Sequence, residues 1–302
     1  MIHLTTPLIN AVKGDHIEAA MLLLEHGAVT DKTSIDAYLY AQTAVMMKLL
    51  IDHGANIYSY DWYDDLADNG GKGYSQFHDL CEYDSNIDKV RVLIDAGVNI
   101  NSDNNDGCFE YSTPLDRATS HNAIGVMRLL IERGVSKDNI SRALHSACSA
   151  EAAQLLIDNG ASIHHLNNYT YAYDKSYPME NCCDEVRDLL IYYENLIKER
   201  VDRGEGTIHE ATHVGNLDII KKHLDDGADI NSIDNDGCTP LHIAAKRKYI
   251  DIALYLLEHG ANKRLCINGK IPYDLLSWDH DRYKKDDDYG RLYDDLFIKY
   301  KN

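Results

Sequence analysis

No stretch of the chain approaches the ~20 consecutive apolar residues that a membrane-spanning helix needs. The N-terminus, MIHLTTPLINAV, lacks a basic segment followed by an apolar block, so neither a membrane anchor nor a cleaved secretion signal is expected. The seven cysteines are an odd count without a C-x-x-C pair, which fits a reducing, cytoplasmic compartment rather than a disulfide framework. Catalytic signatures are missing too: there is no G-x-S-x-G, no Gly-rich phosphate loop ending in Lys-Ser/Thr, and no H-E-x-x-H. Positive charge is scarce, with 30 Lys and Arg against 49 Asp and Glu and a net charge of −19. A surface of that sign repels nucleic-acid phosphates and favours basic partners. Phenylalanine and tryptophan are few, 3 and 2, beside 21 tyrosines.

What the chain does have is repetition. Its 302 residues are 44% hydrophobic and 26% charged, the balance of an ordinary soluble protein. The best-formed unit is GCTPLHIAAKRKYIDIALYLLEHGA, residues 237–261. Thr239 is placed to cap a helix with its hydroxyl, and Pro240 suits the first helical position, where its missing N–H costs nothing. Ala244 and Ala245 let another helix lie close. A second helix carries Ile252, Ala253, Leu256 and Leu257 on one face. Gly260 ends it with the left-handed turn that glycine tolerates. The unit closely resembles an ankyrin repeat, down to Thr239-Pro240-Leu241-His242 and the LLEHGA ending. That resemblance implies an all-α fold: an ankyrin-type α-solenoid of helix–turn–helix repeats with some short β-hairpin fingers.

Helix-ending glycines recur at Gly27, Gly54, Gly97, Gly134, Gly160, Gly227 and Gly260, at intervals of 27, 43, 37, 26, 67 and 33 residues. Only the last equals the ~33 residues of a standard unit. The interval of 67 predicts a degenerate repeat in which Glu194 replaces the stop glycine. One long helix is then expected from about 184 to 201, ending near Gly204 and Gly206. The intervals of 27 and 26 predict helix pairs with clipped fingers. In the first, Thr33 or Ser34 starts a short helix and residues 44–53 form the second; in the other, Ser149 or Ala150 starts the second helix. About eight repeats are expected in a single array over residues 1–302. Repeats 1–5 occupy 1–161, the degenerate repeat 6 occupies 162–206, regular repeats 7–8 occupy 207–261, and a C-terminal cap with a helix near 288–300 occupies 262–302. Residues 276–302 are too short for an attached effector domain.

Candidate binding residues lie where the repeats depart from regularity. An enlarged finger crowds Tyr58, Tyr60, Trp62 and Tyr63 beside Asp64 and Asp65. A second finger offers Asn105, Asp106, Phe109 and Tyr111, a third segment Tyr169, Tyr171 and Tyr173, and the finger at 231–237 Asp234, Asn235 and Asp236. Exposed Tyr and Trp provide large contact area at low entropic cost, although half-buried packing is the better reading of any single tyrosine and weighs equally with binding for the Tyr58–Tyr63 cluster. Thr239, Pro240, His242 and Gly260, with His209 as a close variant, are structural residues. The resemblance implies that the histidine ties loops together by hydrogen bonds; Asp116 and Asp274 replace it elsewhere, so those joints need another scheme. His145 and Cys148 are three apart and share a helix face, but two ligands make no zinc site. Asp286-Asp287-Asp288 lacks the glycine and distal glutamate of a calcium loop. No metal and no cofactor is expected.

These features and the resemblance imply a non-enzymatic protein–protein interaction scaffold. It would bind a basic partner protein through its concave face and its irregular aromatic and acidic fingers. The alternative is an inhibitor, immunity or host-directed effector protein that blocks a partner enzyme's basic active site or nucleic-acid channel. A repeat-scaffold enzyme or small-ligand binder is a third class, and would need a pocket with converging polar groups. Direct nucleic-acid binding and membrane binding are not expected, and a monomer is the default. The irregular repeats look like ankyrin proteins of giant viruses or intracellular bacteria, which implies residence in a cytoplasm, the producer's own or that of a host after delivery.

Overall fold

Small polar side chains set where the helices begin. The computed structural model describes residues 7–28, 40–55, 76–103, 112–164, 182–266 and 271–272. Within them, Thr43, Thr113, Ser136, Ser149, Thr207, Asn216 and Thr239 each accept a backbone N–H of the first helical turn. At Thr113 and Thr207 the carboxylates of Asp116 and Glu210 bond back to the cap N–H, closing capping boxes. All seven register glycines end their helices with φ between +82° and +94°, a conformation in which a side chain is strained.

The chain forms two compact units, Met1–Leu189 and Leu190–Asn302. The first begins with α1 (Pro7–Lys13), α2 (Ile17–Glu25) and α3 (Ala44–Asp52). The pairs α4 (Gln76–Leu80) and α5 (Ile87–Asp95), α6 (Pro114–Ser120) and α7 (Ile124–Glu132), and α8 (Lys137–Ala143) and α9 (Ala150–Asp158) follow. Helix α10 (Asp184–Asp202) runs through the boundary. The second unit pairs α11 (Ile208–His213) with α12 (Leu217–Asp225), and α13 (Pro240–Arg247) with α14 (Ile250–Glu258). First helices pack on first helices (α4 on α6, α6 on α8, α11 on α13) and second on second (α3 on α5, α5 on α7, α7 on α9). Within each unit this is the all-α stacking of an ankyrin-type solenoid.

The stacking buries one apolar stripe per helix. Met46, Met47 and Leu50 of α3, Leu93 of α5, Met127 and Leu130 of α7 and Leu156 of α9 are fully buried. In the second unit Val201, Ile208, Ile220, Leu241, Ala244, Ile252 and Leu256 form one cluster. The long helix predicted for the degenerate repeat is present as the 19 residues of α10. Gly206 is required behind it, because a Cβ there would lie 2.6 Å from Cγ2 of Val201. The clipped repeat at 134–160 is also present, with only Val135 and Ser136 between Gly134 and α8. The first helix expected near Thr33 and the capping helix near 288–300 fall outside the described residues.

One local expectation is corrected. His145 and Cys148 do not share a helix face: α8 gives way to a 3₁₀ turn at Leu144–Ser146, and Ala147 is extended at ψ 121°. Leu130→Ala is expected to cost about 2–5 kcal/mol, the cavity price of a buried leucine. Val45→Ala, at a side chain 64% exposed, is expected to stay within about 0.5 kcal/mol of wild type. Urea unfolding of the two variants checks both.

Candidate functional site

Polar side chains recur at the joints where one repeat's loop meets the next. His209 of α11 donates Nε2–H to the Ser232 carbonyl at 2.9 Å, and His78 of α4 does the same to Ser102 at 3.1 Å. Matching to Thr-Pro-Leu-His overlooks His78, because Gln76 and Phe77 stand in for proline and leucine. Its distance along the chain to its acceptor, 24 residues against 23 for His209, is the signal that finds it. Nδ1 of His242 shares a 2.7 Å hydrogen bond with the Thr239 hydroxyl. The loops themselves are linked by asparagine. Oδ1 of Asn101 accepts from Ser136 N at 2.8 Å and Asn139 Nδ2 at 3.0 Å, and Oδ1 of Asn231 accepts from Asn262 N at 2.7 Å.

Where Asp116 replaces the histidine, the joint is ionic. Arg142 of α8 is 4% exposed. Its Nε reaches Asp116 Oδ2 at 3.1 Å, and its Nη2 reaches Asp103 Oδ1 at 2.8 Å. The same Asp116 oxygen accepts the Thr113 N–H and hydroxyl. Burial pushes the Asp116 carboxyl above its ordinary value, while Arg142 and Thr113 pull it down. Arg142 could not be picked out from the sequence, since a lone Arg inside an irregular repeat carries no pattern.

The described candidate finger is built on Asp234. Its Oδ1 accepts the N–H groups of Asp236 at 2.9 Å and Cys238 at 2.7 Å, and its own N–H bonds the Cys238 carbonyl at 3.0 Å. Its Oδ2 lies 4.0 Å from Nε2 of His213. Burial raises the Asp234 carboxyl above its ordinary value, opposed by the Cys238 N–H. Asp234 therefore shapes the turn, and the turn presents Asn235 and Ile233, the latter 62% exposed, to solvent. Asp236 is half-buried.

Tyr58, Tyr60, Trp62, Tyr63, Asp64, Asp65, Asn105, Asp106, Phe109, Tyr111, Tyr169, Tyr171 and Tyr173 lie outside the described residues. Exposed apolar groups that the sequence reading passed over are Ile191, Tyr192 and Leu196 on α10. Leu196 lies past the point where the other second helices turn away, because the missing stop glycine prolongs this helix. Cys81, Cys182 and Cys238 are buried and burial raises their thiols; Cys148, Cys183 and Cys266 are exposed. Among the described residues no group of three His, Cys, Asp or Glu side chains is gathered to hold a metal ion, and no helix is long and apolar enough to cross a membrane. A groove in the second unit is lined by Lys198, Asp202, Asn216 and Asp218, and Asn216 bonds Asp202 across it at 3.0 Å.

Arg142→Ala strands a buried carboxylate without its cation and is expected to cost about 3–5 kcal/mol. Adding Asp116→Ala is expected to return part of that loss, as a double-mutant cycle in urea would read. For Asp234 the folded chain holds a proton more readily than the unfolded one. Its contribution to stability is therefore full below the ordinary carboxylate value of 3.8 and is lost as pH rises through the raised value. Asp234→Asn keeps an acceptor oxygen for the turn, so its urea midpoint is expected to gain on wild type as pH climbs through that window.

A family model described as "Ankyrin repeats (3 copies)" matches residues 77–167 and 179–266, more than half of the chain. The chain is 42% identical over 78 residues to human protein phosphatase 1 regulatory subunit 27, covering 26% of this chain and 51% of that protein. It is 38% identical over 66 residues to the probable 26S proteasome regulatory subunit p28 of Saccharomyces cerevisiae, covering 21% and 29%. The chain thus spans about half, or less, of the length of these curated relatives. The ankyrin repeat domain of human ASB11 is similar over 95% of this chain and 96% of that one, at 18% identity and a TM-score of 0.33. Ankyrin repeats generally mediate protein–protein interaction. The capped helix pairs, the left-handed stop glycines and the family match agree: the chain belongs to the ankyrin-repeat family.

Proposed function

We propose that this chain is a non-enzymatic scaffold, a single ankyrin-repeat array over residues 1–302 that binds a basic partner protein. The observation that carries this reading is the use made of the polar side chains. The histidines, asparagines and buried ion pair that could suggest chemistry are engaged in joining repeats. Recognition then falls to the surface: the concave face, the Asp234–Asp236 turn with Ile233 beside it, and the aromatic and acidic fingers carrying Tyr58, Tyr60, Trp62, Tyr63, Phe109 and Tyr111. A net charge of −19 steers such a surface toward Lys- and Arg-bearing partners, with association that weakens as salt rises. Residence in a reducing cytoplasm, as a monomer, belongs to the same reading.

A second reading is favoured by the names of two relatives. Regulatory subunits of protein phosphatase 1 and of the 26S proteasome suggest attachment to a larger enzyme, and an acidic repeat protein could block a basic active site. Affinity capture from the native cell, followed by binding measurements with the captured protein, separates the two. For the scaffold, the joint variant Tyr60→Ala, Trp62→Ala is expected to weaken the partner by about tenfold or more while leaving any enzymatic activity of the partner untouched. Stoichiometric inhibition that competes with the partner's substrate would favour the second reading. Capture that ignores both substitutions would remove the enlarged finger from the binding surface.

A further inference from the structure

Two of the exposed cysteines, 35 residues apart in sequence, meet in the first unit. Cys183 stands immediately before α10, where its carbonyl accepts the Arg187 N–H at 2.9 Å. Its sulfur lies 3.5 Å from the carbonyl oxygen of Cys148. Cys148 stands immediately before Ser149, the cap of α9, and its sulfur is turned to the Thr119 carbonyl at 3.6 Å. Both cysteines are exposed, and each sulfur meets a backbone carbonyl of a neighbouring repeat, whereas the neighbouring Cys182 is buried. The contact places the two residues side by side; a disulfide, whose Cα atoms stand about 4.4–6.8 Å apart, requires Cys148 to turn its sulfur from the Thr119 carbonyl toward Cys183.

We propose that Cys148 and Cys183 are an oxidation site, a dithiol that closes to an intrachain disulfide when the chain meets a peroxide. The step balances with hydrogen peroxide as oxidant. One thiolate attacks a peroxide oxygen, the O–O bond breaks, and a sulfenic acid and water result. The second thiolate attacks the sulfenyl sulfur, the S–O bond breaks, and the oxygen leaves as a second water once protonated. Two thiols lose two electrons and two protons in all, and peroxide is reduced to two waters. The bond ties the start of α9 to the start of α10 and closes the segment containing Tyr169, Tyr171 and Tyr173 into a covalent loop. In a reducing compartment such a bond is transient and reversible, the ordinary behaviour of a redox-sensing pair.

The test uses the full chain at low concentration. It is treated with hydrogen peroxide, its remaining thiols are alkylated, and it is digested without reductant and mapped by mass spectrometry. The expected product is one cross-linked peptide pair joining Cys148 to Cys183, about 2 Da lighter than the sum of its reduced halves and lost on adding dithiothreitol. Cys148→Ser and Cys183→Ser are each expected to lack it, and Cys182→Ser to keep it. The mapping of the wild-type chain stands whether or not a serine variant folds. Recovery of Cys148 and Cys183 as separately alkylated peptides, as separate sulfinic acids, or only in disulfides between chains would overturn the proposal. So would a bond from Cys148 to Cys182.

Discussion

A nine-residue helix is not stable in water, because the cost of nucleating it exceeds what its few hydrogen bonds return. The second helices α2, α3, α5, α7, α9, α12 and α14 are all of that length. They persist because neighbouring helices cover the apolar stripe of each, and stability is shared between neighbours rather than held in one centre. Everything else in the molecule serves that contact. Caps start the helices at the right residue, and left-handed glycines turn the chain back in time to stack.

The joints show how much chemistry that constraint tolerates. At equivalent places the chain uses a histidine to a carbonyl (His78, His209), an asparagine to an asparagine (Asn139, Asn101), and a buried arginine between two aspartates (Arg142, Asp116, Asp103). The geometry of stacking demands a polar bridge; which bridge is left open. A second row of contacts runs through the inner turns. There Thr43 bonds Asp15 and Ser149 bonds Asn122, tying a cap to the turn of the preceding repeat. Both turn residues sit at positive φ, +53° and +56°, in the conformation that Asp and Asn tolerate better than most residues. Gly125 belongs to the same row: a Cβ there would crowd Asp84, whose carboxylate takes the Val126 N–H.

Binding capacity follows from what this economy leaves over. The finger at 231–237 was expected to offer three polar residues, but Asp234 is consumed in closing the turn and Ile233 is brought outward instead. Helix α10 illustrates the converse. Loss of one stop glycine, with Glu194 in its place, keeps Leu196 in a helix and in solvent, where a regular repeat would have turned away.

The sequence by itself determined the family, the register and most helix boundaries, because caps, stop glycines and apolar spacing act over a few residues and are written locally. Thr113, Ser149 and Gly160 do in the structure what their neighbours in sequence require of them. It could not assign the role of His78, the Arg142 bridge, the turn-forming role of Asp234, or the approach of Cys183 to Cys148. Apart from the Asp234 turn, each of those is a contact between residues more than twenty apart, whose meeting depends on how repeats of unequal length stack. Local physics names the repeat; only the stacking decides which polar side chains it engages and which it leaves to the surface.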